Sequence, residues 1–348
     1  MKKMIKFPSI EQFRNIVTTI DSRYNFTGLD ENGNAVYDPS LPKPTITFNG
    51  TVKLHGTNAG VSYNAKEGMW AQSRENIITP EHDNAGFAFF AHTHETEFIF
   101  LHCYIAATED IDLHKNTITI YGEWCGKGIQ KGIGISNLQD KTFFVFGVKI
   151  TPHTETEDER RENPAYWVDS YYVKHTHHRI YNIEDFQTYS IDVDFNMPQL
   201  VQNQLSELTL QVETQCPVAK EFGFDGIGEG IVWTAEFKGV VHRFKVKGEK
   251  HNSSKVKTIA SVDVEKIDSI TEFIEYSVTE SRLNQALENV FPNNQPIDIK
   301  KLGDVIRWVV TDIIKEETDT LASNGLEPKD VNKYISNSVR TKFFNLAY

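Results

Sequence analysis

Lys53 lies in the run Thr51-Val52-Lys53-Leu54-His55-Gly56-Thr57-Asn58, and that run could do nucleophilic chemistry. The β-branched and apolar residues Ile46, Phe48 and Val52 predict a strand that delivers the lysine at its end. Gly56 would let backbone come close to a ligand, and Thr57 and Asn58 offer hydrogen bonds. An amine attacks only when unprotonated, so such a lysine calls for partial burial or a cationic neighbour. Lys-x-x-Gly by itself favours a surface lysine at a strand–turn junction, by roughly ten to one. The weight therefore rests on the rest of the chain.

A second group of chemically able residues is basic. From Lys238 to Lys257 there are seven Lys/Arg (Lys238, Arg243, Lys245, Lys247, Lys250, Lys255, Lys257) and one acid, Glu249. The whole chain has a formal net charge of -12, which argues against a protein that coats nucleic acid non-specifically, so this local reversal predicts a polyphosphate or nucleic-acid contact. In His242-Arg243-Phe244-Lys245-Val246-Lys247, period-2 alternation puts the cations on one strand face and the apolar residues on the other. Four further segments join Lys53: Gln72-Ser73-Arg74-Glu75, Ile120 to Gly132, the apolar Phe143 to Val148, and Gly228-Glu229-Gly230-Ile231-Val232-Trp233.

These groups need elements to hold them. A chain of 348 residues, 39% hydrophobic and 11% aromatic, is long enough for two domains with real cores. A short helix is expected over Ser9–Ile20 and a connector over Asn25–Pro44. Strands are expected at Thr45–Leu54, Ala59–Asn64, Met69–Ser73, Thr117–Glu123, Thr142–Ile150, Gly230–Phe237 and Val240–Lys247. Helical or irregular stretches are expected at Gly86–Tyr104 and Leu200–Phe222, and a charged surface loop or turn at Glu155–Glu162. After Ser261 the apolar period becomes helical, with stripes such as Leu302, Val305, Ile306, Val309, Val310 and Ile313, which predicts about four helices. No stretch has the length or apolarity of a membrane span, and the start has no signal-peptide core. Three widely spaced cysteines (Cys103, Cys125, Cys216) fit a reducing, cytoplasmic compartment. Gly126, Gly128, Gly132 and Gly134 lack the Gly-Lys-Ser/Thr ending of a P-loop. His92/His94 and His175/His177/His178 have no cysteine pairing, and surface histidines are expected there rather than a zinc site.

In their order, Lys53-x-His55-Gly56-Thr57-Asn58, Arg74, the Tyr121-Gly122-Glu123 to Lys131 run, Phe143-x-Val145-Phe146, Glu229-Gly230 and Lys245-x-Lys247 resemble nucleotidyltransferase motifs I, Ia, III, IIIa, IV and V of the covalent polynucleotide ligases and capping enzymes. The chain looks most like the phage RNA ligase 2 family. The tail segments Tyr276 to Leu283 and Thr311 to Thr318 are similar to that family's helical C-terminal domain. The resemblance implies an α+β fold: an ATP-grasp-like adenylyltransferase domain of antiparallel sheets flanked by helices over 1–258, and an all-helical RNA-binding domain over 259–348.

It implies an ATP-dependent RNA ligase of RNA repair, sealing 3′-OH/5′-phosphate nicks in duplex RNA through lysyl-AMP on Lys53 and an RNA-adenylate, with Mg²⁺ or Mn²⁺. Nucleotide contacts would come from Val52, Lys53, Leu54, Asn58, Arg74, Glu123, Phe146, Glu229, Lys245 and Lys247. Glu123 and Asn58 would take the ribose, and Phe146 the adenine face. Lys245 and Lys247 would stabilise charge on the α-phosphate. Glu229 would meet the metal through water, and Arg74 and His55 would contact substrate phosphate. A monomer in the cytoplasm is implied, the host's if phage-encoded. A DNA ligase or capping enzyme would follow the last motif with a β-rich OB domain, which the helical periodicity after Ser261 disfavours. A non-catalytic RNA-binding module would have no need of Lys53, Glu229, Lys245 and Lys247 together.

Overall fold

A computed structural model describes residues 2–38, 40–173, 179–248, 270–291, 295–323 and 326–347. The chain opens with an extended segment and helix α1 (Phe13–Asn25), then the hairpin β1 (Phe26–Leu29) and β2 (Ala35–Tyr37). Strands β3 (Thr45–Lys53), β4 (Thr57–Asn64), β5 (Gly68–Ser73) and β6 (Ile77–Ile78) follow. Helices α2 (Phe87–Thr93) and α3 (Glu95–Thr108) lead to β7 (Asn116–Cys125) and β8 (Thr142–Pro152). After α4 (Glu157–Glu162) come β9 (Tyr166–Val168), β10 (Ile180–Asn182) and β11 (Thr188–Asp194). Helices α5 (Gln202–Thr214) and α6 (Pro217–Glu221) precede β12 (Gly230–Phe237) and β13 (Val240–Lys247). The tail holds α7 (Ile270–Ser277), α8 (Glu280–Val290), α9 (Leu302–Glu316), α10 (Thr318–Ser323) and α11 (Pro328–Ala347).

Contacts divide the chain into two compact units: Met1–Asn196 with Leu210–Val246, and Met197–Thr209 with Lys247–Tyr348. In the first unit one sheet has the order β11-β3-β12-β13. The other runs β10-β8-β7-β4-β5-β6 with β9 added on β8, antiparallel except where β10 meets β8. The fold is thus α+β with mainly antiparallel sheets.

Alternation explains how each sheet is held. On the larger sheet Ala59, Val61, Ile118, Ile120, Trp124, Phe143, Val145, Val148 and Ile150 form one buried face, packed with Phe87 of α2 and Phe98, Leu101 and Ile105 of α3. Their neighbours in sequence, Asn58, Tyr121 and Glu123, must point to the other face. On the smaller sheet Phe48, Trp233 and Phe244 are buried, and Phe13 of α1 packs on Phe244 at 5.0 Å between centroids. Each such aromatic contributes about 1.5–3 kcal/mol by burial. Arg243, on the opposite face of β13, has its guanidinium 4.0 Å from the Trp167 ring centroid of β9. The second faces of the two sheets therefore meet.

The second unit has its own apolar core, which includes Phe273, Leu283, Val305, Val309, Ile313, Val331, Ile335 and Phe343. Within it Arg282 is fully buried, its Nε 2.8 Å from Asp312 and an Nη 3.4 Å from Glu317. After Ser261 five α-helices stand among the described residues, against about four expected. Among the described residues no helix is long and apolar enough to cross a membrane.

Three local expectations need correction. Helix α1 starts at Phe13 rather than Ser9, because Glu11 is held extended: its N–H donates to the Arg243 carbonyl and its carbonyl accepts from Lys245 N–H. Glu157–Glu162 is a helical turn, fixed by a capping box between Thr156 and Glu159. The connector at Asn25–Pro44 contains the β1–β2 hairpin. Lys250, Lys255, Lys257, Glu249, the His175/His177/His178 group and the expected 258/259 boundary lie outside the described residues.

Candidate active site

The site forms where the two sheets meet. Lys53 is the last residue of β3 and pairs across to Gly230, the first of β12. That register puts Glu229, just before β12, beside the lysine. Lys53 Nζ donates to Glu229 Oε2 at 2.6 Å, and His55 Nδ1 is 3.3 Å from the same oxygen. The Glu229 side chain is 2% exposed and that of Lys53 20%. A buried carboxylate needs compensating donors, and these two supply them. Val52 and Leu54 flank the lysine as buried apolar residues, which fixes the direction its stem takes.

The chain then crosses to the larger sheet. Gly56 N–H donates to Glu123 Oε1 at 2.9 Å. A Cβ on Gly56 would sit 2.3 Å from the Trp124 carbonyl oxygen, so only glycine permits this approach. Asn58 of β4 lies directly opposite Glu123 of β7, on the same face. Burial raises the Glu123 pKa, and the charge of Glu229 adds to that; Lys53 and the Gly56 N–H work the other way.

Phe146 reaches this face through a bulge. Tyr121 opposes Gly147 and Gly122 opposes Val145, which leaves Phe146 as the extra residue on β8. Its ring meets Phe7 edge-on at 5.0 Å. Phe7 also packs on Tyr121 and Trp167, and the Ile5 carbonyl accepts from the Tyr121 hydroxyl at 2.7 Å. Lys245 and Lys247 lie on β13, alternating with Phe244 and Val246. Arg74 stands apart: it is exposed beyond the end of β5, with Glu75 3.9 Å away.

A family model described as RNA ligase matches residues 46–247, more than half of the 348-residue chain. The chain belongs to the RNA ligase family. No curated protein matches it. Among solved structures it is similar to Naegleria gruberi RNA ligase with PPi, at 16% identity and a TM-score of 0.39. Mutants of that enzyme with ATP and Mn, and with AMP and Mn, match at 15% identity and TM-scores of 0.42 and 0.38. Each match covers 70% of this chain and 56% of the other, so the chain spans little more than half the length of these relatives.

In this member of the RNA ligase family the structure brings Lys53, His55, Glu229, Asn58, Glu123 and Phe146 to the facing sides of two sheets. Sequence reading missed the Phe7 and Trp167 rings, which pack around Arg243 and Phe146. A lone phenylalanine before Pro8 and a three-residue strand carry no periodic signal. It also missed the Gly56 N–H, since a backbone donor is invisible until the chain is folded.

Proposed function

We propose that this protein is an ATP-dependent RNA ligase of the phage RNA ligase 2 branch that seals 3′-OH/5′-phosphate nicks in duplex RNA, with residues 1–258 as adenylyltransferase domain and 259–348 as RNA-binding helical domain. Membership of the RNA ligase family supports the reaction class. The observation that carries the reading is the convergence of one lysine amine and two carboxylates, Lys53, Glu229 and Glu123, between two sheets.

Lys53 Nζ attacks the α-phosphorus of ATP. A P–N bond forms, the bond from that phosphorus to the bridging oxygen breaks, the amine proton goes to solvent, and pyrophosphate leaves. An oxygen of an RNA 5′-phosphate then displaces Lys53 from the AMP phosphorus. The RNA 3′-hydroxyl attacks the activated 5′-phosphate, its proton goes to solvent, and AMP leaves. Splitting one condensation in this way is the use of covalent catalysis. While Lys53 holds Glu229 its amine is engaged, so the pair must open before attack. The donor set of Glu229, with Glu123 close by, fits a hard cation that takes one or two carboxylates and otherwise phosphate oxygens and water. When bound, Mg²⁺ or Mn²⁺ there would draw charge from the phosphates and from Glu229.

Asn58 and Glu123, opposite each other, would hold the ribose hydroxyls, and Phe146 would cover the adenine. Lys245 and Lys247 would take the charge that grows on the α-phosphate. Arg74 would contact the phosphate of the RNA end, a role its exposure beyond β5 supports. The chain would act as a cytoplasmic monomer.

The test is transfer of label from α-labelled ATP. Wild type should retain acid-labile label through denaturation, and Lys53→Ala should retain none. A wild-type chain free of bound AMP that takes no label refutes the reading. Joining of nicked duplex RNA, compared with single-stranded RNA and nicked DNA, then tests the substrate.

A further inference from the structure

The hairpin β12–β13 closes through Lys238 and Gly239, whose φ angles are 50° and 72°. A two-residue turn with both residues left-handed matches the twist of the strands, and its first position favours Asn, Asp or Gly. Lysine there costs about 1 kcal/mol in backbone sterics. The conformation puts the amine over aromatic faces: Nζ lies 4.6 Å from the Tyr24 centroid and 5.8 Å from that of Phe237. Strain held at a position that fixes a cation points to a use for the cation.

A cavity of about 230 Å³ opens beside it, lined by Ile20, Arg23, Tyr24, Phe237, Lys238 and His242. Three of these six are Lys, Arg or His, and none is an acid, in a chain of net charge -12. His242 is buried; burial, then the charge of Arg23, lowers its pKa, so it offers a neutral N–H. Arg23, Lys238 and the His242 imidazole N–H stand beside the aromatic walls of Tyr24 and Phe237, and the cavity lining holds no carboxylate to take their hydrogen bonds. A tetrahedral oxyanion supplies the acceptors.

This cavity is separate from the Lys53 site. His242 and Phe244 alternate with Arg243 and Lys245, so it opens on the α1 side of the sheet. It also lies at the far end of β12, about 23 Å along the strand from Gly230, the partner of Lys53. We propose that this pocket binds a phosphate group, and that the phosphate belongs to the backbone of the RNA strand, away from the ends being joined. The choice of RNA as the source rests on the ligase reading. An acidic chain repels mobile anions, whereas a polymer already held at Lys53 presents its other phosphates at high effective concentration.

The variant that tests this is Arg23→Gln with Lys238→Asn. Asparagine tolerates the left-handed turn, so the hairpin is kept while the charge goes. RNA affinity of the full chain is measured across salt concentrations, and inorganic phosphate is titrated by ³¹P NMR. The expected result is phosphate binding lost in the variant, and a slope of log affinity against log salt shallower by about 0.9, the value for one phosphate contact. An unchanged slope with phosphate binding lost would overturn RNA as the source and keep a free-anion site. No phosphate binding to wild type and an unchanged slope would overturn the pocket altogether. Label transfer to Lys53 is followed in the same samples: its absence in wild type would refute the ligase reading, and its presence in both chains isolates the pocket.

Discussion

Replacing Glu229 by glutamine removes one charge and keeps the shape, and the structure sets the size of the effect. At 2.6 Å, with an effective dielectric of about 20, the gross attraction between Lys53 and Glu229 is about 6 kcal/mol. Desolvation of a carboxylate 2% exposed takes back most of it, and the amine, at 20% exposed, keeps some contact with water. A net loss of about 2 kcal/mol is expected, in the range for a hydrogen bond to a charged group. For a unit of this size that lowers Tm by about 4–8 °C. The effect on chemistry should be larger, because in the proposed reaction Glu229 would both hold the nucleophile and face the phosphates. Loss of one preorganised electrostatic group costs about 10²–10³-fold in rate. The assay is single-turnover label transfer from α-labelled ATP, run beside thermal unfolding of Glu229→Gln, Lys53→Met and the double variant. A coupling energy near 2 kcal/mol in that cycle, with a rate loss of at least 10²-fold for Glu229→Gln, is expected. Additive stabilities and a rate within threefold of wild type would refute the reasoning.

Gly56→Ala places a methyl 2.3 Å from the Trp124 carbonyl oxygen. It should cost about 1–3 kcal/mol and pull the N–H off Glu123, read by denaturant unfolding and by weaker nucleotide binding. Arg282→Met removes the cation beside the buried Glu317 carboxylate and should destabilise the helical unit by about 3 kcal/mol, the low end for a buried pair since Asp312 is partly exposed and Thr320 still donates to Glu317; hydrogen exchange in α8 and α9 that stays as slow as in wild type would contradict this. Burial lowers the His102 pKa from 6.5 to about 4. The unfolded chain then binds the proton more readily, so stability is full above pH 6.5 and falls as pH drops towards 4, by about 2 kcal/mol between pH 7 and pH 5. A His102 imidazole signal, assigned by its loss in a His102 variant, that titrates near 6.5 in the folded protein would contradict that slope.

Local patterns were legible wherever one residue in two is buried. Gly230–Phe237 and Val240–Lys247 have the limits that alternation predicts, and β3 differs from its expected range by one residue. The edge strand β11 escaped because Ser190, Asp192 and Asp194 mask the inward Ile191 and Val193, and only its pairing along β3 makes it a strand. The same limit explains the start of α1: local preference favoured a helix from Ser9, and bonds from Glu11 to β13 overrode it.

The order of short motifs, each a lysine, glutamate or glycine at a strand end, was enough to mark the family and the residues worth testing. Those positions depend only on neighbours in the chain, so they are written in the sequence. What sits across from Lys53 depends on which strands pair and in what register. Only the fold decided that Glu229 takes the amine, that Gly56 reaches Glu123, and that a bulge turns Phe146 towards Phe7. Contacts between residues 53 and 229, or 56 and 123, arise from sheet pairing and packing at long sequence separation, and no periodicity within either segment carries that information.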